Sequence, residues 1–385
     1  MRVAISFLNV GLDRLGGVEI KIRNILDGLL KEGLDIVTVQ TINNFRVSKK
    51  FYSTLEASSN IQHITIEDAG NNRLPWNFIK PYRFNILKKL RNNGVDLIDT
   101  NDPYFGMDKR SFPLVYSTNF FIDYAIEILK SFEFRYAYLF LLNSLFEGSI
   151  IKNTDHFIIE NSIQKKRLMG RYGRSEDDIS VIPGGFNPEW VNEIRCSNPV
   201  KEEGGVILYS GRIDRYKGMK ELLTSFREIS EKRAGWKLWL VGDGPARRSM
   251  EKNVKRLKLG DRVKFWGVVQ GYDVLRYVYM CDIFVLPSYI ESLPVSLIEA
   301  MGLGKPVIST DVGAISSDLV DSSTGVLVHP KDVEGLSRAM LRLIDDEGLR
   351  NSLGLNAEKK VEGFTWKNLV KKTIKAYDTA IKGFE

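Results

Sequence analysis

Residues 284–313, FVLPSYIESLPVSLIEAMGLGKPVISTDVG, hold the arrangement with the clearest chemical content. A strand ends at Pro287, a loop carries Glu291, and Ser292 is placed to cap a helix entered at Pro294. Proline is favoured in a first helical turn and serine accepts from the free amides there. Those amides would form an anion site made from backbone. Glu291 and Glu299 lie eight positions apart, and at about 3.6 residues per turn Glu299 sits about one and a half turns into the helix. The two carboxylates are too far apart for an acid–base pair. They suit a grip on hydroxyls at two ends of a sugar nucleotide, with its phosphates between. A helix cap plus a solvated acid is the bland alternative, and on this pair alone both readings stand.

A second segment, VILYSGRIDRYKG (206–218), ends a strand at a turn opened by Gly211 and presents Arg212 and Lys217 toward the same end. Arginine clamps phosphate oxygens bidentately and lysine acts as a point charge. Two such cations would stabilise a diphosphate leaving group as a glycosidic bond breaks. Arg215 and Lys220 read as solvated charges. LWLVGDGP (238–245) and VKFWG (263–267) end strands in glycine turns. NVGLDRLGGVE (9–19) is a glycine loop after a first strand; it is not G-x-G-x-x-G, so a dinucleotide cofactor is poorly supported.

The elements that must hold these residues follow from the pattern. VAISFL, DIVTVQ, DLIDT, LVYST and HFIIE read as buried parallel strands, with Val18 to Leu30 as an amphipathic helix ended by Gly33. After residue 203 come VILYSG, KLWLVG, VKFWG, DIFVLP, PVIST and GVLV. Repeated βα units predict an α/β protein of two Rossmann-like, doubly wound domains facing across a cleft. The boundaries read as 1–195, 203–364 and a terminal helix at 365–385 that packs back across the junction. The polar stretch 195–205 is the linker. Thr365 is the expected cap, and Leu369, Ile374, Tyr377 and Ile381 the apolar face.

The 385 residues are 43% apolar, 27% charged and 11% aromatic, which excludes disordered, collagen-like and coiled-coil classes. Cys196 and Cys281 cannot build a disulfide framework, so a reducing compartment is expected. The three histidines show no metal spacing, no G-x-S-x-G, Walker or H-E-x-x-H motif occurs, and no metal site is expected. The net charge of +7 comes without a Lys/Arg block, so nucleic acid is not the expected partner. It fits anionic small molecules or an anionic membrane surface. The start reads as an expected first strand rather than a signal peptide, and no run approaches a spanning helix of roughly 18 residues. A cytoplasmic protein is expected, with contact at the inner face of the membrane as a secondary reading. The aromatic segment 120–152 could seat such contact or a lipid-linked acceptor, although helices packed within the first domain are the favoured reading.

IESLPVSLIEAMGLGKPVIST, preceded by GRIDRYKG and VGDGP and followed by DVGA, resembles the retaining GT-B glycosyltransferases, glycosyl transferases group 1, whose hallmark is E-x7-E. GGVE (16–19), TDHFIIENS (154–162), ISVIPGGFNPEW (179–190) and FTWKNL (364–369) are weaker matches. The resemblance implies a metal-independent, retaining hexosyltransferase with no cofactor. Its donor would be a nucleotide sugar, UDP- or GDP-linked, and its acceptor a saccharide or a lipid-linked sugar. Arg212 and Lys217 would take the diphosphate, Glu299 the ribose and Glu291 the transferred sugar. Backbone at Leu293, Pro294, Val295 and Ser296 would supply amides, less the one that proline lacks. Gly16 and Gly17 would close over the phosphates, and Gly211 would open the turn carrying Arg212.

Two departures stand out. Asn119 aligns with a usual histidine, and VGAISSD, with Asp318, only loosely replaces G-G-x-x-E. They leave a catalytically silent sugar-nucleotide-binding module as one alternative, and an epimerase of the same fold as another. A nicotinamide oxidoreductase is weaker still, because the second strand ends in Gln40 instead of an acid.

Overall fold

The computed structural model describes residues 1–6, 17–41, 61–66, 81–100, 111–117, 148–197, 199, 203–269 and 271–384. The first sheet contains β1 (Arg2–Ser6), β2 (Asp35–Thr41), β3 (Ile61–Ile66), β4 (Leu97–Thr100), β5 (Leu114–Ser117), β6 (His156–Ile159) and β7 (Ile179–Val181). All pairs are parallel, in the order β3-β2-β1-β4-β5-β6-β7. The second sheet contains β8 (Val206–Ser210), β9 (Lys237–Val241), β10 (Val263–Gly267), β11 (Ile283–Leu286), β12 (Val307–Thr310) and β13 (Gly325–Val328). It is parallel too, in the order β10-β9-β8-β11-β12-β13. The inner strands are aliphatic along their length because helices cover both faces: every residue of β8 and β11 is buried.

Both sheets are Rossmann-like. The six strands expected after residue 203 are all present, and β1, β2, β4, β5 and β6 match the expected runs. β3 and β7 were not anticipated. They are the edge strands of the first sheet. An edge position needs no continuous apolar run, and Gln62 and His63 of β3 are exposed.

The chain divides into two units, Met1–Pro183 with Lys367–Glu385, and Gly184–Trp366. The polar stretch 195–205 therefore lies within the second unit, where helix Pro188–Ser197 already occupies its start. The terminal helix Trp366–Phe384 belongs to the first unit, although it follows the second in sequence. Leu369, Val370, Ala376, Tyr377 and Ala380 are buried, whereas Ile374 and Ile381 of the expected face are half-buried. Gly28 makes the packing possible: a Cβ there would meet Val370 Cγ2 at 2.3 Å. The Tyr377 hydroxyl donates to Asp99 Oδ2 at 2.5 Å. No described helix is long and apolar enough to cross a membrane.

Candidate functional site

β8 has β9 on one side and β11 on the other, so the strand order of the second sheet reverses between β8 and β11. In open α/β sheets a crevice outside the carboxyl ends of the strands opens at such a point. The segments leaving those two strands carry Arg212, Lys217 and Glu291.

After β8 the Gly211 N–H donates to Val241 O at 2.9 Å, so this amide is engaged by the strand pairing. Asp214 accepts from the Arg215 N–H at 2.7 Å and starts a single tight turn, Arg215–Lys217. Gly218 closes it with φ 68°, and a Cβ there would meet Pro287 O at 2.0 Å. After β11, the Tyr289 N–H donates to Tyr216 O at 2.7 Å and ties the two segments together. Backbone placement in this way brings residues 74 apart in sequence to one point.

There the Lys217 ammonium and the Ser288 hydroxyl both donate to Glu291 Oε1, at 2.5 and 2.6 Å. Burial alone would lower the Lys217 pKa; Glu291, then Tyr216, outweigh it and hold the ammonium above its usual 10.5. Tyr209 is fully buried and donates to Arg212 O at 2.6 Å. Burial first, then the Glu291 charge, pushes its pKa well above 10.0. Arg212 lies 3.2 Å from Asp214 through Nε, with 51% of its side chain exposed, so the rest of its fork reaches solvent.

Helix Val295–Gly302 begins differently from the expectation. Pro294 itself is the N-cap, at φ −74° and ψ 122°, and no side chain caps it. The cap residue must be extended, which proline's fixed φ allows, and Ser292 lies two residues too early. The first backbone bond is Leu297 N–H to Pro294 O at 3.1 Å, leaving the Val295 and Ser296 amides ahead of it. Glu299 follows on this helix, half-buried, with no bonded carboxyl partner among the described residues. Burial raises its pKa from 4.5 to about 8.

Arg212, Lys217, Glu291, Glu299 and the backbone from Leu293 to Ser296 thus belong to one end of one sheet. Gly17 opens helix Gly17–Lys31 of the other unit, and Gly16, Asn119 and residues 120–147 lie outside the described residues. His156 is a buried strand-start residue whose pKa burial lowers to about 4. Among the described residues no three His, Cys, Asp or Glu side chains cluster as metal ligands. Ser288 and Thr310 were missed by sequence reasoning; their signal is a small hydroxyl residue at the carboxyl end of a buried strand.

Residues 15–190 match the family model described as Glycosyltransferase Family 4, and residues 191–360 the one described as Glycosyl transferases group 1. The chain thus carries a glycosyl transferases group 1 domain behind a Glycosyltransferase Family 4 domain. Its relatives include an uncharacterized glycosyltransferase of Methanocaldococcus jannaschii, 31% identical over 57% of this chain and 58% of that protein. A D-inositol 3-phosphate glycosyltransferase of Paenarthrobacter aurescens is 27% identical over 62% of this chain and 60% of its own. These matches span about three fifths of the curated relatives' length. The fold is that of sucrose-phosphate synthase from Thermosynechococcus elongatus, at a TM-score of 0.77, 23% identity and 99% coverage of both chains. Anabaena HepE, solved in complex with UDP-glucose, gives 0.74 at 18% identity, covering 98% of this chain and 100% of its own. The fold of this chain is therefore GT-B.

Proposed function

We propose that the chain is a retaining glycosyltransferase that moves a hexose from a nucleoside-diphosphate sugar, UDP- or GDP-linked, to a saccharide or lipid-linked acceptor. The observation that carries this reading is the buried Lys217–Glu291 pair beside Arg212 and the first turn of helix Val295–Gly302, at the strand-order reversal of the second sheet. Breaking the anomeric C–O bond leaves a pair of electrons on the diphosphate. Arg212, Lys217 and the Val295 and Ser296 amides supply positive charge in fixed positions for that developing anion.

Glu291 offers its free oxygen to a sugar hydroxyl, and Glu299 faces the ribose diol. Two placed cations can do the charge stabilisation without a metal. Attack on the same face as the departing phosphate, with that phosphate as base, retains the anomeric configuration. The curated relative that acts on D-inositol 3-phosphate and the neighbour solved with UDP-glucose support donors and acceptors of these kinds. A cytoplasmic location with peripheral contact at an anionic membrane belongs to the same proposal.

The test is transfer measured with a panel of UDP- and GDP-sugars. Lys217→Ala and Glu291→Ala should each lower turnover by about 10²–10³ while nucleotide binding persists. Undiminished transfer in both variants overturns the assigned roles. Donor binding with neither transfer nor hydrolysis in the unmodified chain would reduce it to a sugar-nucleotide-binding module.

A further inference from the structure

Ser288 sits in the short connection between β11 and Glu291, fully buried. Its hydroxyl donates to Glu291 Oε1 at 2.6 Å. Its carbonyl accepts from Thr310 Oγ1 at 2.5 Å, at the carboxyl end of β12. One strand away from the reacting groups, a threonine thus holds the backbone of the serine that holds the glutamate. Ser309 does the same for the residue that ends β11, donating to Leu286 O at 3.1 Å.

The consequence lies in how a glutamate carboxylate rotates. Its last torsion is an sp³–sp² bond with a broad, roughly two-fold profile, so one donor does not settle the plane of the group. An ionised carboxylate has about four lone-pair sites on two oxygens. Here Lys217 and Ser288 approach the same oxygen from two different segments and occupy both sites of Oε1. Oε2 receives no bond from the described residues. The pair of donors therefore fixes the plane and leaves one oxygen, in one direction, for the ligand. Lysine alone would serve poorly, since an ammonium on a flexible stem can follow a rotating carboxylate.

We propose that Ser288, backed by Thr310, is a positioning residue that presents Glu291 Oε2 to the hydroxyl of the transferred sugar. The hydroxyl touches no substrate. It converts the Lys217–Glu291 ion pair from a simple neutralised pair into an oriented acceptor, and so selects for the sugar part of the donor and not for the nucleotide. This rests on the reading of Glu291 given above.

The measurement is the gain in affinity that the sugar adds, the ratio of the Kd of UDP to that of UDP-glucose by calorimetry, or of the corresponding GDP pair if the unmodified chain prefers it. In Ser288→Ala the nucleotide Kd should stay within about twofold, whereas the sugar's gain should fall about tenfold, the usual weight of a hydrogen bond to a charged group. Turnover should fall with the sugar's gain, and Thr310→Val should move both in the same direction by less. A merely structural serine would lower the thermal midpoint and weaken UDP and UDP-glucose alike. An unchanged sugar gain in Ser288→Ala, or equal weakening of both ligands, overturns the proposal. If Ser288→Ala does not fold, Ser288→Cys, similar in shape but a weak donor, must show the same loss or the proposal fails. If the unmodified chain binds neither UDP-glucose nor GDP-mannose, the donor reading itself is overturned and the role of Ser288 falls with it.

Discussion

Glu299 carries a carboxyl that burial keeps protonated up to about pH 8, against 4.5 for an ordinary glutamate. Hydroxyls that donate to it favour the ionised form, so a ribose bound there should draw its pKa down and release a proton. Calorimetry at pH 7.5 in buffers of different ionisation enthalpy should show release of a fraction of a proton per nucleotide bound, and none in Glu299→Gln. The same shift has a sign for stability. The folded chain keeps this proton where the unfolded chain gives it up, so stability falls as pH rises from about 4.5 to about 8. Glu299→Gln should lack that fall. At this scale Glu291, Lys217 and Arg212 were legible because acids and cations at fixed offsets from strand ends imply their chemistry. Ser288 was not, because a hydroxyl becomes significant only through the atom it reaches, here a carboxylate three residues on that is also held from 74 residues away.

The turn Arg215–Gly218 is the element that presents Lys217. Its closing glycine has φ 68° and lies against Pro287 O, where a Cβ would stand at 2.0 Å. Gly218→Ala should cost the second unit about 1–3 kcal/mol, seen as a lower urea midpoint, and should lower turnover by displacing Lys217. Among elements, the inner strands were readable as continuous aliphatic runs, and helix Gly17–Lys31 as an apolar stripe ended by Gly33. Helix Val295–Gly302 was readable in place but not in its start. Whether serine or proline occupies the cap depends on where the loop from β11 turns, and that loop is held by Tyr216, Thr310 and Lys217 from other segments.

Over the whole molecule, positive charge gathers on helices of both units. Pro81–Asn92, Ser162–Tyr172, Arg247–Arg256 and Trp366–Phe384 each carry a net +4, so together they exceed the +7 of the whole chain. If this charge seats the protein on a membrane, the full chain should float with phosphatidylglycerol vesicles at low salt and be released by about 0.5 M salt, where screening is short-ranged. Phosphatidylcholine vesicles should not retain it. The terminal helix also completes the first unit. A chain ending at residue 365 would expose the partners of Leu369, Val370 and Tyr377, each side chain worth about 1.5–3 kcal/mol of burial, a large part of a domain's roughly 5–15 kcal/mol. Calorimetry should then show the second unit's transition alone. Sequence by itself determined the two parallel βα sheets, the signature of the family and the charged residues of the site, because periodicity, turn chemistry and side-chain type are properties of short segments. Only the tertiary structure decided which oxygen of Glu291 is left free, what caps its helix and which unit owns the chain's last helix. Those depend on contacts between segments tens to hundreds of residues apart, which close only when the sheets assemble.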